Sequence, residues 1–478
     1  MQQPRRTKIL ATLGPASDKP GITEALIDAG ANAFRCNMSH GTYKEHQNRV
    51  VRAREYAAKK ETAVGIVIDL QGPEIRLGEF SDGSIELVEG KVFSLDITLD
   101  EAQGTQQSVG LTYKDLPKDV NQGDRLLLDD GKLELEVTGV TETTVETIVI
   151  VGGPLSGKKG LNRKGGGLTA DALTESDELD IVFAVKELDA DFIAPSFVKT
   201  ANDIERVRKL INDAGGDHTH IIAKIETALA IDNIDEIIAA ADGVMVARGD
   251  LGVERDDADL PSLQKMIIKK ARKADRVVIV ATQMMDSMIQ NPVPTRAEVF
   301  DVANAVLDGT DVVMLSAETA AGDYPVKVVE TMDRVCRRAE LDHRAMLSQH
   351  RLGEEFEYFD ESIAMAAMYL ANHMGASSIA ALTESGATAL YMSRISSGVP
   401  IYALSSHSHT HSRVSLYRGV YPVVHKPKAN EHVSFNKEVI NELKSADAVK
   451  PGDKLIITKG DLRGEAGGTN AMKLIKIR

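Results

Sequence analysis

Long hydrophobic runs are missing from this 478-residue chain. No apolar stretch approaches the roughly 18 residues that cross a bilayer, so a membrane protein is not expected. The opening MQQPRRTKILATLGP has two arginines but no long apolar core or small-residue cleavage site, and a secretory signal is not expected either. Cysteine is scarce: Cys36 and Cys336 lie far apart and read as two buried thiols in a reducing cytoplasm. Positive charge is also short, with 56 Lys and Arg against 71 Asp and Glu for a net −15, which argues against non-specific binding of nucleic acid. An acidic chain can still take an anionic substrate where bound cations and local arginines or lysines reverse the field.

What is present is alternation. A hydrophobic content of 43% supports substantial cores, and the length predicts two or three domains. Strand-like runs fall at Lys8–Leu13, Ala33–Asn37, Val64–Asp69, Phe192–Ser196, His220–Glu226, Gly243–Ala247, Val277–Thr282 and Val312–Leu315. Most are followed by segments with apolar residues three and four apart. Thr174 and Asp177 have capping-box spacing ahead of one such segment, and Gly215 ends another. Eight strand–helix units predict an α/β protein built on a (β/α)₈ barrel, ahead of an open doubly wound sheet.

About a hundred residues after DLQGPEIR interrupt the rhythm with turns and alternating stretches, as in RLLLDDGKLELEVTGV and TTVETIVIV. This segment predicts a small β-barrel lid inserted over the C-terminal face of the barrel, where lids exclude water. The pattern then restarts: SIAMAAMYLANHM reads as a helix, and SIAALT, PIYALS, YPVVH and KLIITKG read as strands of a C-terminal α/β domain. The expected division is 1–72 with 171–344 for the barrel, 73–170 for the lid and 345–478 for the last domain.

The chemistry-bearing residues sit at strand ends. AKIE places Lys224 beside Glu226, MVARGDLG supplies Arg248 and Asp250, and ATQMM supplies Thr282. Glu226 and Asp250 can share one Mg²⁺ or Mn²⁺ and leave places for substrate oxygens, or hydrogen-bond loop amides. Lys224, two residues before Glu226, shares its strand face. It can form a Schiff base, stabilise an enolate or phosphoryl group as an ammonium, or pair structurally with Glu226. Gly249 lets a phosphate approach the backbone, and Thr282 can bond it or relay a proton. FRCNMSHG alternates Arg35, Asn37 and Ser39, followed by His40; Arg35 can fork onto a carboxylate or phosphate. Neutral oxygens from Asn37 and Ser39, with Asp69 on the neighbouring strand, suit a monovalent cation better than Mg²⁺.

In the lid, Lys158, Lys159 and Lys164 form either a solvated basic loop or a phosphate-facing one. In the last domain Thr383, Ser385 and Thr388 surround Gly386 at a helix start, as an anion site or as ordinary caps. SHSHTHS, with His407, His409 and His411 at alternate positions, reads as a polar loop without a supporting carboxylate rather than a metal chelator.

Together these residues resemble the pyruvate kinase family across essentially the whole chain, from TKILATLGPAS through DLQGPEIR, AKIE, MVARGDLGVE, ATQMMDSM, PTRAEVFDVANAVLDGTD and MLSAETAAGDYP. The resemblance implies phosphoryl transfer from phosphoenolpyruvate to ADP, giving pyruvate and ATP, by a cytoplasmic homotetramer with no nucleic-acid or membrane partner. It implies contacts to phosphoenolpyruvate from Arg35, Lys224, Gly249, Asp250 and Thr282, with Arg35, Lys224 and Thr282 as catalytic groups. Mg²⁺ (or Mn²⁺) would lie on Glu226 and Asp250, and K⁺ on Asn37, Ser39, Asp69 and the carbonyl of Leu70. Nucleotide contacts would come from Asn37, Met38, Ser39, His40, Arg76 and Lys159. Relatives that need K⁺ usually carry glutamate at the position of Glu74, whereas Leu70, Gln71 and Leu77 look like the K⁺-independent group; the expectation is K⁺ activation. Ala387 replaces an arginine common in TESGRTA, so effector phosphate binding at Thr383, Ser385 and Thr388 is expected to be weakened or shifted towards Arg463. The sequence type resembles bacterial members activated by AMP or sugar monophosphates. The rival readings are a Schiff-base lyase using Lys224 and a catalytically silent effector-binding protein.

Overall fold

The computed structural model describes residues 4–346, 353, 355–426, 432–461 and 467–478. Eight parallel strands close into a barrel: β1 (Lys8–Thr12), β2 (Ala33–Asn37), β3 (Gly65–Asp69), β4 (Phe192–Ala194), β5 (His220–Ile225), β6 (Gly243–Ala247), β7 (Val277–Ala281) and β8 (Val312–Leu315). Closure is made by β1, which pairs Lys8 with Val312 on one side and Leu10 with Ala33 on the other. Continuous apolar runs such as VVIVA in β7 are buried on both faces, as parallel strands between a packed interior and a helical ring must be. Leu10, Val67, Ile222, Met245, Ile279 and Met314 fill the interior. Their neighbours Ile9, Ile66, Ile221, Val244, Val278 and Val313 pack under the helices.

Three helices of the outer ring open with full capping boxes: Thr42 with Glu45, Thr174 with Asp177, and Thr295 with Glu298. Asp177 has a second task, because its Oδ1 accepts a hydrogen bond of 3.0 Å from the amide of Gly72. Gly72 has φ +71°, and a Cβ there would meet the Cβ of Ser196 at 2.8 Å. Only glycine fits this turn, where the chain leaves the barrel for the insert.

The insert is all-β. A six-stranded sheet and a two-stranded ribbon share a core that includes Leu77, Phe80, Phe93, Leu95, Leu126, Leu135 and Val145. Its segments Arg125–Leu128, Leu133–Val140 and Thr144–Val151 are the strands expected from the alternating runs.

The C-terminal α/β domain carries a five-stranded sheet of β9 (Ser378–Leu382), β10 (Ile401–Ser405), β11 (Val420–Val424), β12 (Lys454–Gly460) and β13 (Thr469–Lys476), in the order β11-β10-β9-β12-β13. The last pair is antiparallel. Strand β13 and the helix His432–Ser445 were not foreseen. SHSHTHS is also not a loop: Ser408–Val414 is helical, held by Thr410 Oγ1 on the carbonyl of Glu384 and by His411 Nε2 at 2.9 Å from the carbonyl of Ser405. Those tertiary bonds override a composition that reads as irregular.

This domain docks on the base of the barrel through buried charge. Arg394 is fully buried and ion-paired to Asp311, which also accepts bonds from the amides of Val278 at 3.0 Å and Arg418 at 3.1 Å. The ammonium of Lys8 reaches the carbonyl of Val420 and lies 4.3 Å from the centre of the Tyr421 ring. Cys36 and Cys336 are both buried free thiols, as expected, and burial pushes each up to about 12. Among the described residues, no helix is long and apolar enough to cross a membrane.

Candidate active site

Four of the strands end sooner than their apolar runs suggest, or turn sharply just beyond them. Phe197 and Thr282, which follow β4 and β7, have φ of +52° and +63°. A left-handed backbone at a β-branched residue is strained, so the surroundings must hold Thr282 there. Arg248 supplies much of that hold. Its guanidinium donates 2.6 Å to the carbonyl of Thr282 and 3.1 Å to that of Ala281, while Asp301 anchors it at 2.7 Å. The Thr282 hydroxyl in turn accepts a bond of 2.9 Å from the amide of Gly249. A Cβ at Gly249 would stand 3.8 Å from that hydroxyl, in ordinary contact. Packing therefore does not demand glycine, and its absent side chain leaves the space open.

At the centre is Lys224. Its ammonium lies 2.5 Å from Ser196 Oγ, 3.1 Å from Asp69 Oδ1 and 3.4 Å from Glu226 Oε2. Burial opposes its charge, but Asp69 and then Glu226 outweigh burial and raise its pKa. Asp69 also takes the guanidinium of Arg35 at 2.5 Å. Burial acts against its charge too, yet Arg35 and Lys224 hold its pKa below the usual range. Glu226 differs in the direction of its shift. One oxygen accepts 2.6 Å from the amide of Phe197, Oε2 makes no hydrogen bond beyond its 3.4 Å ion-pair contact with Lys224, and burial pushes the group up to about 7. Asp250 is raised as well, by burial first.

Arg35, Asn37, Ser39, Leu70, Glu74, Arg76, Lys224, Glu226 and Asp250 line one cavity of about 260 Å³ between the barrel rim and the insert. Four basic residues (Arg35, Arg76, Lys199, Lys224) face five acidic ones (Glu74, Asp130, Glu226, Asp250, Glu254) in its wall. Added positive charge would favour an anion in a cavity with this wall. Two carboxylates of raised pKa, Glu226 buried and Asp250 half-buried, with one Glu226 oxygen making no hydrogen bond, are a donor set that fits Mg²⁺ or Mn²⁺.

The monovalent set is adjacent but engaged. Asn37 Oδ1 accepts from the amide of Ser39 at 3.3 Å, and the carbonyl of Leu70 accepts 2.6 Å from Ser196 Oγ. Met38 and His40 follow β2, and the carbonyl of His40 lies 2.9 Å from His46 Nε2. Arg76 forks onto Glu74 at 2.6 and 2.8 Å, and Lys159 pairs with Asp129 at 2.7 Å. Lys158 pairs with Glu79 and faces solvent.

Each of the three hydroxyls expected at an effector site has a partner within the domain. Thr383 caps the amide of Gly386 at 2.8 Å and Ser385 that of Ala387 at 3.4 Å, while Thr388 is buried against Thr469 at 2.8 Å. Arg463 lies outside the described residues.

Ser196, Phe197 and Arg248's positioning of Thr282 were missed as parts of the site. Ser196 had the same signal that exposed Glu226 and Asp250, a polar residue closing an apolar strand. The turned backbone of Phe197 and the tie from Arg248 to Asp301 leave no trace in local sequence.

Comparison with known proteins matches residues 4–329 to the family model "Pyruvate kinase, barrel domain" and residues 361–475 to "Pyruvate kinase, alpha/beta domain". Pyruvate kinase II of Salmonella typhimurium is 50% identical over 477 residues, covering 99% of each chain. A pyruvate kinase of Haemophilus influenzae is 50% identical over 460 residues, covering 95% of this chain and 96% of that one. One from Geobacillus stearothermophilus is 42% identical over 478 residues, covering 98% of this chain and 80% of its own.

Proposed function

The chain belongs to the pyruvate kinase family and is a transferase, and from that premise we propose that it moves the phosphoryl group of phosphoenolpyruvate to ADP and protonates the enolate left behind. An oxygen of the ADP β-phosphate attacks phosphorus, the bond to the enol oxygen breaks, and a proton added at the terminal carbon gives pyruvate beside ATP. The observation that carries this is Lys224, an ammonium kept charged by Asp69 and Glu226 on the floor of a cavity rich in carboxylates.

Arg35 and Lys224 meet the negative charge of the substrate, and Lys224 continues to neutralise both the transferring phosphoryl group and the enolate oxygen. The open backbone at Gly249 receives substrate oxygens beside Asp250. Thr282 Oγ1, fixed by Gly249, sits on the path that brings a proton through water to the enolate carbon. Asn37, Met38, Ser39, His40, Arg76 and Lys159 hold ADP, whose phosphates compete with Asp129 for Lys159. When bound, Mg²⁺ or Mn²⁺ at Glu226 and Asp250 and K⁺ at Asn37, Ser39, Asp69 and the Leu70 carbonyl supply the positive charge that the cavity lacks. A Schiff-base lyase fits less well, because the carboxylates around Lys224 favour its protonated, non-nucleophilic form. A homotetramer accords with two apolar exposures on separate domains, Phe300 at 69% and Phe359 at 82%.

The test is ATP formation from phosphoenolpyruvate and ADP by the purified chain. ATP should appear only with a divalent ion and form faster when K⁺ replaces tetramethylammonium, since Glu74 supplies no built-in positive charge. No ATP overturns the reaction, and equal initial rates without K⁺ overturn that part of the reading.

A further inference from the structure

At the opposite end of the barrel, three metal-ligating side chains meet across the joint between domains. Asp189 precedes β4, His218 precedes β5, and His409 lies on the helix Ser408–Val414 of the C-terminal domain. Their ligand atoms all fall within 4.8 Å of one another. The rings of His218 and His409 stack with centroids 3.8 Å apart at 27°. His218 Nε2 is 2.8 Å from Asp189 Oδ1 but misdirected for hydrogen bonding, and it is shielded from solvent without a partner. A solvent-shielded ring nitrogen that makes no hydrogen bond, beside a carboxylate and a second imidazole, points to a ligand.

The alternate histidines of SHSHTHS part company here. His407 goes to Glu384 at 2.7 Å and His411 to a backbone carbonyl, leaving His409 for the interdomain cluster. Neighbouring cations are otherwise occupied. Arg413 bonds the carbonyl of His218 at 3.1 Å, and Arg54 bonds that of Asp189 at 2.6 Å, so both guanidinium groups lean on backbone rather than on the ligand atoms.

We propose that Asp189, His218 and His409 form a transition-metal site, of the class filled by Zn²⁺, that clamps the C-terminal domain to the base of the barrel. Two imidazoles and a carboxylate leave a fourth position for water and disfavour Mg²⁺, which prefers oxygen ligands. Bond lengths of about 2.0–2.2 Å require the three side chains to draw slightly together, exchanging the misdirected His218–Asp189 contact for metal bonds. The site is separate from the catalytic cavity: from His218 to Glu226 the chain runs through the whole of β5, roughly 25 Å for eight extended residues. The helix that bears His409 also bonds the carbonyls of Glu384 and Ser385, so an ion there fixes the loop that opens the helix Ala387–Ser393. This inference stands independently of the catalytic reading.

The test uses the full chain, stripped with chelator and held in excess Mg²⁺ so that oxygen-ligand sites are filled. Zn²⁺ is titrated calorimetrically and Co²⁺ by visible absorption. The wild type should bind one equivalent, with the intense bands of four-coordinate Co²⁺. His409→Phe keeps a ring on His218 but no lone pair, and Asp189→Asn alters an exposed ligand. Each should weaken Zn²⁺ binding at least tenfold while ATP formation stays unchanged. Wild-type binding in both variants, or no Zn²⁺ taken up by the wild type under excess Mg²⁺, overturns the proposal.

Discussion

Lys224 is buried to 13% exposure, yet its surroundings strengthen rather than remove its charge. For the proposed reaction, an ammonium with Asp69 at 3.1 Å and Glu226 at 3.4 Å would need little reorganisation as charge develops. Lys224→Met keeps the length and loses the charge; turnover in the ATP-forming assay should fall by about 10³-fold or more, and near-normal turnover would remove Lys224 from the chemistry. The partners of this lysine were legible in part. Two-residue spacing gave the shared face with Glu226, whereas Asp69 was read only as a ligand for a monovalent cation, and its contact with Lys224 came from the fold. Ser196, which joins Lys224 to the carbonyl of Leu70, was not recognised, because the bond spans 28 residues and depends on the pairing of β4 with β5.

Among the elements, the helix Glu175–Lys186 shows how a local signal acquires a second role. Its Thr174–Asp177 box could be read from spacing, but the bond from Gly72 to Asp177 could not, since it joins residues 105 apart. The two uses predict different costs. Thr174→Ala removes only a cap and should cost about 1 kcal/mol. Asp177→Ala, at a fully buried position, also strands the amide of Gly72 and should cost roughly 2–3 kcal/mol. Denaturant unfolding of the two variants checks the order, and equal losses would show that the bond to Gly72 adds nothing. Strand ends were overrun at Thr282 and Ser196 because apolar content continues where the backbone turns. Helix Ser408–Val414 was missed for the opposite reason, since its stability comes from bonds to Glu384 and Ser405 rather than from periodicity.

On the scale of the molecule, alternating strands and helices revealed the barrel, the insert and the second α/β domain, but not how the domains join. That joint is built from charges sequence reading normally assigns to the surface. Arg394 meets Asp311, and Lys8 lies beneath Tyr421 with its pKa lowered to about 7 by burial first and then by Arg5. The linkage has a definite sign. Between about pH 7 and the unfolded value near 10.5, the unfolded chain holds a proton at Lys8 that the folded chain has shed, so stability gains with rising pH. Lys8→Met lacks this contribution. The melting temperature of the wild type should therefore rise relative to that of Lys8→Met between pH 7 and pH 10, and a relative fall would contradict the lowered pKa.

The cavity is the feature on which the functional account turns, because its wall holds more acid than base and its deepest carboxylate has an oxygen with no hydrogen-bond partner. Binding of Mn²⁺ followed by electron paramagnetic resonance addresses it directly, in the wild type, Glu226→Gln, Asp250→Asn and Lys224→Met. The account predicts that both carboxylate variants bind Mn²⁺ at least about tenfold more weakly, while Lys224→Met still binds it. Undiminished Mn²⁺ binding in either carboxylate variant would contradict it.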